Sequence, residues 1–423
     1  MDEKGFMLPE TAKKADVVIA SYYIELPAEV DIIKKAESLA VGQTIGTWVP
    51  IPGITEEIRE KYMGKVVNIF EVPPTDLAVY EGEKMGYLIQ IAYPTVNFGS
   101  DFPLMITSLL GNDASTSAQV KLMDIEFSEA FLNRFEGPRF GIEGVQKLFG
   151  VTERPLLLNM VKPCTGISPE AGANIFYEAA LGGVDIIKDD ELFGNPVYSK
   201  PEQRVKAYKE AARKAAEKTG KETKYFVNVT GGVSELLDSI RKVEEAGADG
   251  LMVNFSVLGY STLKFIAENT KLPILGHSAG AGMFCEASLS GMATPLAVGK
   301  LARIAGADIV MLITPYGGYP LRKQKYLQIL QQLTLPLGNI KPTMPSIGGG
   351  VHPGILERYV REAGKNIVLA AGGSIQGHPM GTTAGARAMQ QAIDIVCKGG
   401  DFCEQAKAYP ELQASLDKWG YVK

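Results

Sequence analysis

Cysteine is scarce. The four in 423 residues (Cys164, Cys285, Cys397 and Cys403) are too few for a disulfide scaffold, and their spacing is not that of metal ligands. There is no basic block: 43 Lys and Arg stand against 48 Asp and Glu, a net charge of −5. That balance argues against nucleic acid and anionic membranes as partners. No apolar run reaches the roughly 18 residues a membrane span needs. The first ten residues carry acids and no apolar stretch, unlike a secretory signal. No short repeat or low-complexity linker is present. What remains is an enzyme of a reducing compartment, expected in the cytoplasm and acting on a small molecule. With 46% apolar and 22% charged residues, the chain can bury a sizeable core. Its length suits two or three domains, or one large barrel with an appendage.

The chain changes rhythm near residue 136. Before it, strands are expected over 16–27, 65–72, 86–93 and 119–127, with helices over 29–40 and 101–110. Asp101 is the expected N-cap of the second helix, with Pro103 in its first turn. The order βαββαβ is the ferredoxin-like α+β arrangement, assigned to residues 1–135. A Gly/Pro-rich joint follows at 136–144. Eight short apolar runs then alternate with helical stretches, at 155–164, 183–191, 224–231, 250–257, 272–278, 307–315, 343–350 and 366–373. Buried strands separated by helices imply a parallel sheet, and eight units imply a (β/α)8 TIM barrel over 136–423. The alternative is an open, doubly wound sheet.

Polar residues gather at the carboxyl ends of these runs, where barrel enzymes place their sites. Lys162 ends the first run. Lys188, Asp190 and Glu191 end the second, and Asn228 lies in the third. His277, His352 and His378 follow the fifth, seventh and eighth. Residues two apart on a strand share a face, so Lys188 and Asp190 point together with Glu191 at the rim. Such a group either holds a hard cation such as Mg²⁺ through oxygen or forms an internal salt bridge between Lys188 and Asp190. Spacing alone leaves both open. Gly348, Gly349 and Gly350 end the seventh run, and Gly372 and Gly373 the eighth. Backbone N–H groups freed there can cradle a phosphate; tight turns are the plainer alternative.

These residues resemble the RuBisCO large subunit, and more closely the RuBisCO-like proteins. The motifs IGTWVPIPG (45–53), GPRFGIEG (137–144), VKPCTGISPE (161–170), GGVDIIKDDE (182–191), GGGVHPG (348–354) and GGSIQGHPMGTTAGA (372–386) fall in the family's order. The resemblance implies that CO₂ carbamylates Lys188, and that the carbamate, Asp190 and Glu191 bind Mg²⁺. It implies that Thr47, Trp48, Gly349, Gly350, Gly372 and Gly373 surround one substrate phosphate, and that Asn112 lies near the metal. Thr47, Trp48 and Asn112 would complete the site of a neighbouring subunit, so at least a homodimer is implied.

The departures from the family pattern bear on function. Cys164 replaces a lysine, Ser278 an arginine, Met311 a histidine, Gly348 a serine and Gly42 a glutamate. The glycine-lysine motif after the sixth run is missing, and Lys323 has no certain counterpart. These losses remove the second-phosphate and CO₂-handling groups, so carboxylation of ribulose bisphosphate is not expected. The remainder is an enolisation kit with Lys162 or the Lys188 carbamate as base, Lys162 alternatively clamping an oxygen, and His277 orienting a substrate oxygen or a water. Met311, Cys164 and Tyr316 would offer an apolar tail pocket, unless they only pack the barrel interior. The leading expectation is an isomerase, a tautomerase of 2,3-diketo-5-methylthiopentyl 1-phosphate in methionine salvage. Asn112 stands against it, because such enolases resemble each other in carrying lysine there. The alternatives are an isomerase of 5-methylthioribulose 1-phosphate, a decarboxylase of an oxo-sugar-acid phosphate, and a regulatory protein.

Overall fold

A computed structural model of the chain describes residues 5–47, 49, 51–74, 84–319 and 321–422. Thirteen strands are present among them: β1 Val17–Pro27, β2 Lys65–Val72, β3 Lys84–Pro94, β4 Lys121–Phe127, β5 Leu156–Met160, β6 Ile186–Lys188, β7 Lys224–Asn228, β8 Gly250–Asn254, β9 Ile274–His277, β10 Gly291–Met292, β11 Ile309–Ile313, β12 Met344–Gly348 and β13 Val368–Ala371. They fall into two compact units. One comprises residues 1–136, 280–297 and 338–340; the other holds the rest.

The first unit carries a sheet in the order β10-β4-β1-β3-β2. β1 lies antiparallel to both β3 and β4, as the ferredoxin-like order requires. Helix Ile32–Gly42 starts where the Asp31 carboxylate accepts from the Ile33 and Lys34 amides. Helix Phe102–Leu110 starts at Asp101, which accepts from Leu104 at 3.0 Å. Among the elements beyond the expected six are helix Glu56–Tyr62, capped by Thr55, and β10, which extends the sheet parallel to β4.

In the second unit β5, β6, β7, β8, β9, β11, β12 and β13 form a closed parallel barrel. Register from Val368↔Leu156 to Ala371↔Asn159 joins the last strand to the first, which rules out the open sheet. Alternate residues point inward: Leu156 and Leu158, Ile309 and Met311, Val368 and Ala370 meet Phe226, Met252 and Leu275 in one buried cluster. Helix Gly141–Phe149 adds Ile142 and Val145 to that cluster, at the end where the strands begin. The buried Asp308 carboxylate ties it there, accepting from the amides of Phe140 (2.6 Å), Gly141 (3.0 Å) and Ile274 (2.9 Å). With that end plugged, the opposite rim, where the strands stop, is left for chemistry.

A second buried carboxylate fixes the entry to β6. Asp185 pairs with Arg154 and Lys221, each at 2.8 Å, and accepts from the Leu157 amide at 2.7 Å. Burial pushes its carboxyl up, but Arg154 and Lys221 outweigh burial and hold it below the ordinary value. A lowered native pKa stabilises the fold above the unfolded value, near 3.9, and that contribution fades as pH falls through the native one. The thermal midpoint should therefore drop more steeply between about pH 5 and pH 2 in the wild type than in Asp185→Asn. Parallel melting curves for the two proteins would contradict this.

Candidate active site

β6 ends at Lys188, and the next three residues turn outward over the rim. Their side chains divide between two surroundings. Asp189 faces the helical layer and is fully buried. It accepts from Arg204 (3.0 Å), the Tyr225 hydroxyl (2.7 Å) and the Asn228 amide (2.9 Å). Arg204, also fully buried, donates onward to the carbonyls of Ser199, Phe193 and Gly194 and lies over the Phe193 ring at 4.4 Å. One guanidinium thus neutralises the buried Asp189 and anchors the chain that follows the motif.

Asp190 turns the other way. Its carboxylate accepts from Lys162 Nζ at 2.5 Å, and Lys162 also donates to Cys164 Sγ at 3.0 Å. Burial pulls the Lys162 ammonium down, but Asp190 and Cys164 outweigh it and hold it above its ordinary value. Reciprocally, burial raises the Asp190 carboxyl and Lys162 brings it below the usual range. Lys188 is fully buried; its Nζ donates to the Asp189 carbonyl at 2.9 Å, and burial lowers its pKa. The internal salt bridge of the motif is therefore Lys162 with Asp190, not Lys188 with Asp190. Side-chain amides of Asn228 and Asn254 hold the carbonyls of Asp190 and Glu191 at 2.8–3.2 Å.

His277, the last residue of β9, brings Nε2 to 3.7 Å from the Glu191 carboxylate. Its Nδ1 accepts from the Ala279 amide at 3.1 Å, which leaves the proton of the neutral ring on Nε2. Burial and the nearby Lys188 lower its pKa to about 3, so the ring is neutral at ordinary pH. Lys188, Asp190, Glu191, Lys162 and His277 are thus gathered at one stretch of rim. Among the described residues no three His, Cys, Asp or Glu side chains are grouped to hold a metal. With Asp189 paired to Arg204 in the helical layer, this side of the motif holds two carboxylates, Asp190 and Glu191, and the Lys188 amine.

The glycines lie on the same end of the barrel. Gly349 and Gly350 have φ of +84° and +87°, the left-handed region that favours glycine. A Cβ on Gly349 or Gly373 would meet nothing within 4 Å, so their backbone borders open space. Gln376 stitches this side to the end of β5: it accepts from the Lys162 amide at 3.1 Å and donates to Asn159 Oδ1 and the Met160 carbonyl. His378 is held by the Glu411 carbonyl at 2.9 Å and the Met380 amide, a structural turn. His352 is partly buried, and burial lowers its pKa.

The remaining expected residues belong to the first unit. Thr47 borders a cleft with Lys35, Gly42 and Asp113. Asn112 is exposed and immediately precedes the turn Asp113–Ala118. Trp48 lies outside the described residues. Of the expected tail pocket, Met311 packs in the barrel core, Cys164 meets an ammonium, and the Tyr316 hydroxyl donates to Glu362 at 2.6 Å. A continuous apolar pocket from these three is therefore not formed. Sequence reasoning missed Asp189, Arg204, Gln376 and Asn254. The signal for the first pair was present: an acid facing a helical layer needs a cation, and Arg204 sits in the first turn of the next helix, Pro201–Thr219.

Fold and rim together define a barrel enzyme of the RuBisCO large-chain family. The chain belongs to it: residues 141–419 match the model of the ribulose bisphosphate carboxylase large chain catalytic domain, and residues 6–131 match its N-terminal domain. It is 41% identical over 395 residues to a ribulose bisphosphate carboxylase-like protein of Archaeoglobus fulgidus, covering 93% of this chain and 90% of that one. It is 37% identical over 410 residues to the 2,3-diketo-5-methylthiopentyl-1-phosphate enolase of Geobacillus kaustophilus, covering 96% and 98%. Among solved structures, a RuBisCO-like protein (MtnW) from Alicyclobacillus acidocaldarius superposes with a TM-score of 0.88 at 35% identity, covering 96% of this chain and all of that one. A dimeric archaeal RuBisCO from Hyperthermus butylicus gives 0.86 at 31%, covering 96% of each.

Replacing Arg204 leaves the Asp189 carboxylate buried without its cation. Removing one partner of a buried pair costs about 3–5 kcal/mol. Arg204→Met should lose that much in chemical denaturation. A loss below about 1 kcal/mol, the size of an exposed pair, would show that Asp189 is not the buried anion described.

Proposed function

We propose that this chain is a Mg²⁺-dependent enolising enzyme acting on a singly phosphorylated keto compound, in kind a tautomerase of 2,3-diketo-5-methylthiopentyl 1-phosphate. One observation carries the reading: Lys162, rather than Lys188, is salt-bridged to Asp190, so the Lys188 amine, which feels the charges of Glu191, Asp190 and Asp189, lies unbridged at the place where a third oxygen ligand would be needed. After reaction with CO₂, Lys188 would join Asp190 and Glu191 in holding Mg²⁺. Bound there, the ion would polarise a substrate carbonyl and acidify the adjacent C–H.

The chain's own residues supply the rest. The backbone of Gly349, Gly350, Gly372 and Gly373 takes the phosphate, and Thr47 and Trp48 add to it from the N-terminal domain of a second subunit. Lys162 takes one of two roles: as the ammonium it donates to the oxygen that gains charge as the enolate forms, with the carbamate that Lys188 would carry as proton acceptor, or, released from Asp190 and deprotonated, it accepts the proton itself. Neutral His277 donates from Nε2 to a substrate oxygen. A homo-oligomer fits this division, and the relatives of known assembly include a dimeric and an octameric RuBisCO. No helix among the described residues is long and apolar enough to cross a membrane, in keeping with a cytoplasmic small-molecule enzyme.

The second anionic group of a bisphosphate has no evident place. A Cβ at Gly348 would lie 2.8 Å from Met311 Sδ, and Ser278 Oγ is turned to the Met311 carbonyl at 3.0 Å. C–C cleavage of an oxo-acid phosphate is a second reading favoured by one feature. An ammonium at Lys162 can neutralise an enolate formed by loss of CO₂ as well as one formed by loss of H⁺.

Two experiments test the proposal. Lys188→Ala should abolish both the near-ultraviolet enol signal from the diketo phosphate and the carbamate resonance in ¹³C-bicarbonate. Wild-type turnover in that variant would remove the metal assignment, whereas CO₂ release from an oxo-acid phosphate by the wild type would favour cleavage. Cys164→Lys should not restore carboxylation of ribulose bisphosphate, because Ser278 and Met311 remain; labelled CO₂ fixed by that single variant would count against the one-phosphate pocket.

A further inference from the structure

The loop after β11 is pinned at several points, and one acid holds two of them. Glu362, on helix Leu356–Ala363, accepts from the Tyr316 hydroxyl at 2.6 Å and pairs with Lys323 at 2.9 Å. Tyr316 and Lys323 lie on either side of the loop's glycines. The guanidinium of Arg358 lies 4.7 Å from the centre of the Tyr316 ring. Thr314 Oγ1 stands 2.9 Å from the Tyr359 hydroxyl and accepts from the Tyr316 amide at 3.1 Å. Glu362 is one-tenth exposed, whereas the Lys323 side chain is 59% exposed, so the Tyr316 bond is the stronger pin and the Lys323 pair is weakened by solvent.

Between the pins, the loop meets the proposed phosphate cradle backbone to backbone. A Cβ on Gly317 would strike the Gly349 carbonyl, and one on Gly350 would stand 3.0 Å from the Gly317 Cα. Gly349 and Gly350 keep their left-handed conformation directly against this loop. We propose that Glu362 is a positioning residue for phosphate binding: through Tyr316 and Lys323 it presses the Gly317–Gly318 backbone against Gly349–Gly350 and sets the direction of their N–H groups. The inference rests on the phosphate assignment made above and adds the residue that shapes it.

The test uses the full chain, with inorganic phosphate as probe in titration calorimetry and a thermal melt of every variant. Glu362→Ala should weaken phosphate binding by about tenfold, the scale on which supporting groups act on a site, while remaining folded at the assay temperature. Glu362→Gln keeps an acceptor for Tyr316 and should recover most of the affinity. Gly317→Ala disturbs the same contact from the other side and should weaken phosphate as much with Glu362 intact. Unchanged affinity in folded Glu362→Ala overturns the inference. So does a loss that only tracks the fraction of unfolded protein, or a Gln variant as weak as Ala. If the wild type itself binds no phosphate, the glycine cradle fails and the inference falls with it; a wild type that binds phosphate and an Ala variant that binds it equally leave the cradle standing and remove Glu362 alone.

Discussion

Buried charge at the end of β6 has to be balanced residue by residue, and the candidate site is the outcome of that balance. Asp189 and Asp190 are consecutive and both almost fully buried. A carboxylate left uncompensated in a poorly solvated rim is strongly destabilising. Because successive side chains point to opposite faces, the chain gives them separate partners. Arg204 meets Asp189 in the helical layer, and Lys162 meets Asp190 over the barrel mouth. Lys188 is left as a buried amine outside both ion pairs, within the field of Glu191, Asp190 and Asp189. Its environment follows from the two pairs flanking it, and the reading of the site follows from Lys188.

The pairs differ in the way their roles require. Asp189 with Arg204 is closed: every acceptor is taken, and the guanidinium also fastens Phe193, Gly194 and Ser199. Asp190 with Lys162 is open on one side, since the lysine side chain remains 38% exposed. A long, flexible ammonium can leave, whereas a planar guanidinium with all its donors engaged cannot without unfolding the loop. The first pair is therefore architecture and the second an ion pair that can open toward the barrel mouth.

Strand runs and their polar ends were legible in the sequence because closed barrels bury both faces of each strand and put chemistry at one rim. The facing of Lys188 and Asp190 followed from strand alternation, and Asp101 as a cap followed from its place before an apolar stretch. What alternation could not supply was the identity of distant partners. Lys162 and Asp190 are 28 positions apart, and Tyr316 and Glu362 are 46 apart. Their meeting depends on which strands are neighbours and where each loop turns. Strand alternation offered Asp190 only Lys188 as a bridging lysine, and it is the pairing of β5 beside β6 that brings Lys162 to it. Tyr316 was read as apolar because its hydroxyl finds its partner only when the loop after β11 lies on helix Leu356–Ala363.

Met311 and Gly348 show why the departures from the family pattern act together. They lie on neighbouring strands, where Leu312↔Ile347 and Ile313↔Gly348 are in register. Met311 fills the barrel's upper layer, and its sulfur stands where the first carbon of any side chain at 348 would come. A serine at 348 therefore requires the methionine side chain to shift, and a smaller residue at 311 alone would leave a cavity in the core. Substitutions in direct contact are not additive, so each of these residues sets the cost of reverting the other. The contact between Met311 and position 348 is thus a packed state of the barrel, held by dispersion contacts.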